Sequence, residues 1–229
     1  MLSRVDTGEA RALSDQERTI PLFPLNTVLF PGMSLPLHIF EERYREMIRR
    51  CLSGDGEFGV ALIREGPEVG GPAEPFEVGT IARITEVDRL PDGRMNLMTL
   101  GVRRFRLLQV VEQHPYLVGR VVPLGRSAET AEEGLVERVQ TAFRDFVRAA
   151  RSDKVDPDAL SLAPDTEDLS YQVAASLPAP RDARQRLLEL DSPNERLAVL
   201  LGMLRRERDT ARLFSRAPSG KNAGPFSLN

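Results

Sequence analysis

The sequence predicts an α+β fold: a small, closed or nearly closed β-barrel with one inserted helix, followed by a C-terminal α-helical subdomain. Three observations predict it. Up to Gly125, short apolar runs alternate with Gly- and Pro-containing turns, as in an antiparallel barrel. Within that stretch, residues 40–52 alone switch to a helical period. Beyond Gly125, apolar residues recur at helical spacing as far as Leu204.

Taken in order, residues 1–19 carry no sustained periodicity and are expected to be flexible. Pro21, Pro24, Pro31 and Pro36 each remove a backbone donor, so residues 20–23 and 28–30 are expected to be edge or bulged strands, with a turn at Pro31 and Gly32. Phe40, Tyr44, Met47, Ile48, Cys51 and Leu52 then form the apolar face of a helix. Residues 58–63, a continuous apolar run, read as a buried strand, and residues 66–75 as a loop. Residues 78–87 alternate imperfectly, which predicts a bulged strand. Pro91, Asp92 and Gly93 supply a hairpin turn to a strand over residues 94–100. Separate strands are expected over 103–111, after Gly101, and over 117–122, all of them antiparallel.

In the helical part, Thr130 and Glu133 have capping-box spacing ahead of an apolar stripe running from Leu135 to Ala150. Residues 152–168 form a connector, Leu169, Val173 and Leu177 a short helix, and residues 181–190 another. The last helix has the clearest start, with Ser192 as cap, Pro193 at the first helical position and Glu195 completing the box. Residues 217–229 are a Gly, Pro and Ser tail expected to be disordered. The resulting division is 20–125 for the barrel and 126–216 for the helices.

Composition excludes several classes. One cysteine forbids an internal disulfide framework, and without nearby ligands it forms no zinc ribbon, so neither metal nor cofactor is expected. No stretch approaches the ~20 apolar residues of a membrane span, and no signal-peptide core is present, so a cytoplasmic location is expected. A net charge of −3 argues against nucleic acid as the main partner. The cations are almost all arginine, with Lys154 and Lys221 the two lysines.

Candidate chemistry is sparse. Gly54, Gly56 and Gly59 match a dinucleotide fingerprint, but they follow a helix and precede a strand, the reverse of the order that points a helix N-terminus at phosphates. Lys221 lies in a polar tail without a phosphate loop around it, and Lys154 sits between Asp153 and Asp156, where an ammonium stays solvated. His38 and His114 read as structural or exposed, and Cys51 as a packed core residue. Arg205, Arg206, Arg208 and Arg212 alternate with acids as a solvated face. In Arg103-Arg104-Phe105-Arg106, strand alternation places Arg104 and Arg106 opposite Phe105, on what is expected to be an exposed face.

The stretch LFPLNTVLFPG followed by LPLHIFEERYREM closely resembles the opening of the Lon substrate-binding domain, the N-terminal module of ATP-dependent Lon proteases, and is nearest to its stand-alone bacterial relatives. The resemblance continues through FGVALI, VGTIARI, LPDGRMNLMTLGVRRFRLL and YLVGRVVPL, and more weakly through LSYQVAASLP and LLELDSPNERLAVLLGMLRRE. It implies a barrel of the pseudouridine-synthase-associated (PUA-like) type and a non-catalytic recognition role, binding unfolded or extended polypeptide or a protein partner. An RNA-binding module and an ATP-independent peptidase are the alternatives. The expected binding residues are Phe30 and Tyr44, as apolar surface, and Arg43, Arg94 and Arg104, as forked partners for carboxylates, in a groove between barrel and helices. With neither a phosphate loop nor a credible Ser-Lys dyad, the purified chain is expected neither to hydrolyse ATP nor to cleave unfolded casein. Proteolysis that survives repurification and is abolished by a single substitution in this chain would contradict that expectation.

Overall fold

The computed structural model describes residues 16–71, 73–150 and 156–216. The expected tail at 217–229 lies outside them, as do residues 1–15 of the expected flexible N-terminus. Arg18 and Thr19 already belong to the first strand, because they pair with Val121 and Arg120.

Seven strands and five helices follow one another along the described residues: β1 (Arg18–Leu25), β2 (Ser34–Ile39), α1 (Glu42–Leu52), β3 (Glu57–Glu65), β4 (Glu74–Pro75), β5 (Val78–Arg89), β6 (Met95–Glu112), β7 (Leu117–Pro123), α2 (Leu135–Ala149), α3 (Thr166–Ser176), α4 (Arg181–Glu189) and α5 (Pro193–Arg216). The strands pair in the order β1-β7-β6-β5-β3-β4, and β3 also returns to β1. The last pairing is parallel, Leu22 to Gly59 through Leu25 to Leu62, so the circuit of five strands closes and the expectation of uniformly antiparallel strands is corrected. Parallel neighbours need a long crossover, and α1 supplies it. Its buried Tyr44, Met47, Ile48 and Cys51 pack against Phe23 and Leu25 of β1 and Phe58 and Val60 of β3.

Side chains fill the interior of the circuit. Leu22 and Phe105 are fully buried there with Ile20, Ala61, Ile81 and Val121. Glycines make the room: a Cβ on Gly79 would stand 2.6 Å from Phe105 Cζ, and one on Gly119 would stand 2.6 Å from Leu22 Cδ1. Burying each such large apolar side chain contributes about 1.5–3 kcal/mol.

Three local expectations change. Residues 28–30 are not a strand; Val28, Leu29 and Phe30 are buried in an irregular segment whose Leu29 carbonyl accepts a hydrogen bond from buried Thr80 Oγ1 at 2.6 Å. The strand comes later, as β2, where Pro36 sits on a strand that pairs with β6 alone. Gly101 does not separate two strands but lies inside the 18-residue β6, where the register slips by one between Ile81/Arg103 and Ala82/Gly101. A Cβ at Gly101 would come within 2.3 Å of the Phe30 carbonyl oxygen, so only glycine lets the two backbones touch there. The helix expected from Phe40 begins at Glu42, and Phe40 itself is 49% exposed.

The helices share a core with the strands. Val28, Phe30, Leu62 and Val78 from the strand-rich part pack in one cluster with Val139, Phe143, Leu169, Val173, Leu187, Leu197, Leu200 and Leu204. Thr130 and Glu133 do not cap α2, which follows Gly134 in the left-handed region at φ 67. Ser192 does cap α5, accepting from the Glu195 amide at 3.1 Å. Asp165 caps α3 by accepting from the amides of Glu167 and Asp168.

The C-terminal ends of α3 and α4 lie inside the protein, where their last carbonyls lack an intrahelical donor. Arginines supply it. Arg184 Nη1 donates to the carbonyls of Ala174 (3.1 Å), Ala175 (3.4 Å) and Leu177 (3.3 Å), and its Nη2 to that of Val28 at 3.3 Å. Arg196, 0% exposed, donates through Nε to the Leu187 carbonyl at 2.8 Å, through Nη1 to Ser170 Oγ at 2.8 Å and through Nη2 to the Leu190 carbonyl. Its guanidinium also lies over the Tyr171 ring, 4.3 Å from the centroid. Burial pulls both guanidinium pKa values below the ordinary arginine value.

Replacing Arg196 by Met keeps the bulk but leaves the Leu187 carbonyl and Ser170 Oγ without this donor and the Leu190 carbonyl with Arg104 alone. The loss expected in urea unfolding is about 3 kcal/mol, and Lys should recover little of it because an ammonium has no fork. A loss below about 1 kcal/mol would mean that those carbonyls find other donors. Cys51 gives a second test. Burial pushes its thiol up to about 11, so a maleimide should label it slowly in the native protein and rapidly in urea. The unfolded chain ionises this thiol first, from about pH 9, while the fold keeps it protonated; this contribution to stability is therefore complete below pH 9 and lost as pH rises towards 11. Rapid native labelling at neutral pH would contradict the packed assignment.

Candidate functional site

A groove of ≈ 970 Å³ opens where four elements end. Pro24 of β1, Glu41 and Arg43 with Tyr44 at the start of α1, Glu65, Gly66, Gly70 and Gly71 with Ala73 to Pro75 around the β3–β4 connection, and Val110, Gln113, His114, Pro115 and Leu117 around the β6–β7 hairpin contribute its walls. Pairing between β1 and β7 reaches only Leu22 and Leu117, so residues 23–25 of β1 are held on the β3 side and their other edge runs beside the groove. Pro24, Tyr44, Pro75, Pro115 and Leu117 give the walls their apolar part, the three prolines bringing no backbone donor, while Glu41, Arg43, Glu65, Glu74, Gln113 and His114 make the rest polar.

The polar groups at the rim are tied to one another. Arg43 faces Glu41, with Nε donating to Oε2 at 3.0 Å and Nη2 at 2.9 Å from the same oxygen. Arg43 Nη1 donates to the Gly71 carbonyl at 3.4 Å, and the Gly70 amide donates to Glu41 Oε2 at 3.4 Å. The Arg43 guanidinium lies 4.5 Å from the centroid of the Tyr44 ring, which in turn packs on Phe23 with centroids 4.2 Å apart. Burial pushes the Tyr44 phenol above its ordinary value, and Glu41 and Glu68 add to the shift against Arg43, so the ring stays neutral. Arg64 pairs with Glu74. Among the described residues lining the groove there is no serine, threonine, cysteine or lysine to act as a nucleophile. No group of three or more potential metal ligands occurs among the described residues.

Of the five expected binding residues, two meet here, Arg43 and Tyr44. Phe30 is 0% exposed, under the Arg184 guanidinium at 5.0 Å, and offers a ligand no surface. Arg104 is buried, not on an exposed strand face: β6 is covered by helices at that point, and its Nη1 donates to the carbonyls of Leu188 (2.9 Å) and Leu190 (3.0 Å), with Nη2 3.1 Å from Asp191. Arg94 stands in the hairpin turn, paired with Asp92 at 2.7 Å and away from the groove. That turn accepts the Arg94 amide on Asp92, which holds the Asp92 carboxyl below its ordinary value. The boundary between strands and helices, expected to hold the groove, is filled by apolar side chains. Glu65, Glu74, Pro75, His114 and Pro115 carried no motif signal, because strand ends and hairpins tens of residues apart bring them together. The sequence clue was the clustering of Pro and Gly at those ends.

No helix among the described residues is long and apolar enough to cross a membrane. The family model that describes the ATP-dependent protease La (Lon) substrate-binding domain matches residues 19–206. A Lon protease of Brevibacillus choshinensis is 27% identical over 204 residues, covering 86% of this chain and 26% of that protein. Lon protease 2 of Herpetosiphon aurantiacus is 31% identical over 85% of this chain and 24% of its own length. The chain thus spans about a quarter of the length of these relatives. Among solved structures, a Lon N-terminal domain protein from Xanthomonas campestris superposes with a TM-score of 0.63 at 29% identity, covering 81% of this chain and 98% of that one. The N-terminal domain of a Mycobacterium avium complex Lon protease gives 0.65 at 19% identity, covering 82% and 98%, and supports the fold alone.

Proposed function

The chain belongs to the Lon substrate-binding domain family, and from that premise we propose that it is a cytoplasmic, non-catalytic recognition module that binds unfolded or extended polypeptide segments or a protein partner. The closed circuit of strands supports a small barrel of the PUA-like type over residues 20–125. On this proposal those residues carry the binding surface, and the helices of 126–216 brace it.

The observation that carries the proposal is the groove itself. Its exposed Pro115 and half-buried Val110 and Leu117 suit apolar side chains of an extended chain, beside the point where the β1–β7 ladder stops at Leu22 and Leu117. Arg43 and Tyr44 sit at the centre of the polar rim. Among the described residues nothing there favours RNA: the one arginine lining the groove is paired, and the net charge is −3. Nor, among the described residues, does a serine, threonine, cysteine or lysine line the groove to favour a peptidase.

A labelled, permanently unfolded polypeptide titrated against the full chain is expected to bind with micromolar affinity, about −8 kcal/mol or weaker. Val110→Glu, at a half-buried groove position, should weaken binding about tenfold, whereas Arg94→Ala, outside the groove, should leave it unchanged. If structured RNA binds with a steep salt dependence while polypeptide does not, the recognition of polypeptide is overturned.

A further inference from the structure

The groove carries an uneven charge. Glu65 at the end of β3 and Glu74 of β4 are register partners across the ladder, two carboxylates placed directly opposite one another. Like charges in such a pair repel. Arg64 answers Glu74, and no ion pair of Glu65 is found among the described residues. On the other rim, Glu41 and Arg43 neutralise each other, and the guanidinium is further committed to the Gly71 carbonyl. The fork expected to receive an acidic side chain is therefore already filled, and the unbalanced charge of the groove is negative.

We propose that the groove selects extended segments carrying a basic side chain next to an apolar one. This rests on the polypeptide-binding function proposed above and deepens it. The cation sits between Glu65 and Glu74 and relieves their repulsion, while the neighbouring apolar side chain lies against Pro115 and Leu117. Both carboxylates are exposed, so the attraction is modest and screened by salt. It biases the choice among unfolded segments without providing most of the affinity.

The test uses three unfolded polypeptides of one sequence that differ only in carrying Lys, Gln or Glu at the same few positions. The Lys version is expected to bind the full chain about fivefold more tightly than the Glu version, with the gap narrowing as salt is raised. Glu65→Gln should shrink the preference and Glu65→Lys should reverse it; Glu65 is exposed, so the fold survives, which circular dichroism and the melting midpoint verify. Equal binding of all three versions, a preference for Glu, or an order unchanged by Glu65→Lys would overturn the charge selection and leave polypeptide binding standing. Failure of all three to bind would remove the proposed function and this inference together.

Discussion

Two helices that end inside the protein set the terms for the rest of the structure. A buried helix C-terminus exposes carbonyls that water cannot reach, and leaving them unpaired costs about 1–3 kcal/mol each. Arg184 closes the end of α3, while Arg196 and Arg104 together close the end of α4. Each guanidinium reaches several acceptors in fixed directions, which an ammonium on a flexible stem cannot do. The partial negative charge of the helix ends offsets part of the cost of burying a cation. Three of the chain's arginines serve in this way. Such contacts also fasten the two halves: Arg104 comes from β6, Arg184 reaches back to the Val28 carbonyl, and Gln185 Nε2 donates to the Val78 carbonyl at 3.0 Å. The seam is filled, so the open surface lies elsewhere, at the ends of the strands.

β6 is the spine of the strand-rich half. Its 18 residues pair with β2 and β5 at one end and with β5 and β7 further along, and its register slips let it bend without breaking. Because the strands of the circuit stop at different lengths, β1, β3, β6 and α1 leave ragged ends around the ≈ 970 Å³ groove. Prolines finish those ends, giving apolar walls with few competing donors. A surface for extended chain thus follows from how the circuit closes.

Much of this was legible in sequence because it is local. The all-apolar run at 58–63 became the fully buried centre of β3, Asp92 and Gly93 made the expected turn, and Ser192 capped the expected helix. What sequence concealed was long-range. Residues 28–30 have strand-like composition but are claimed by Thr80 and Gly101 from other elements. Arg104 alternates as a surface residue should, yet helices arriving more than eighty residues later cover it. The parallel β1–β3 pairing has no local signature, since a crossover through α1 satisfies the same apolar pattern. Arg43 and Tyr44, which line the groove, share the opening motif with the helix, whereas Glu65 and Glu74 are brought opposite one another only by their register.

The arginine-closed helix ends make strands and helices one cooperative unit. Native-state hydrogen exchange measures this directly, by comparing the amides of Ile81 and Phe105 in the strands with those of Val173 and Leu200 in the helices. All four are expected to open with the same free energy and the same denaturant dependence. If the helical amides exchange through an opening cheaper by about 2 kcal/mol or more while the strands stay protected, the helices are a separable layer and the claim is contradicted.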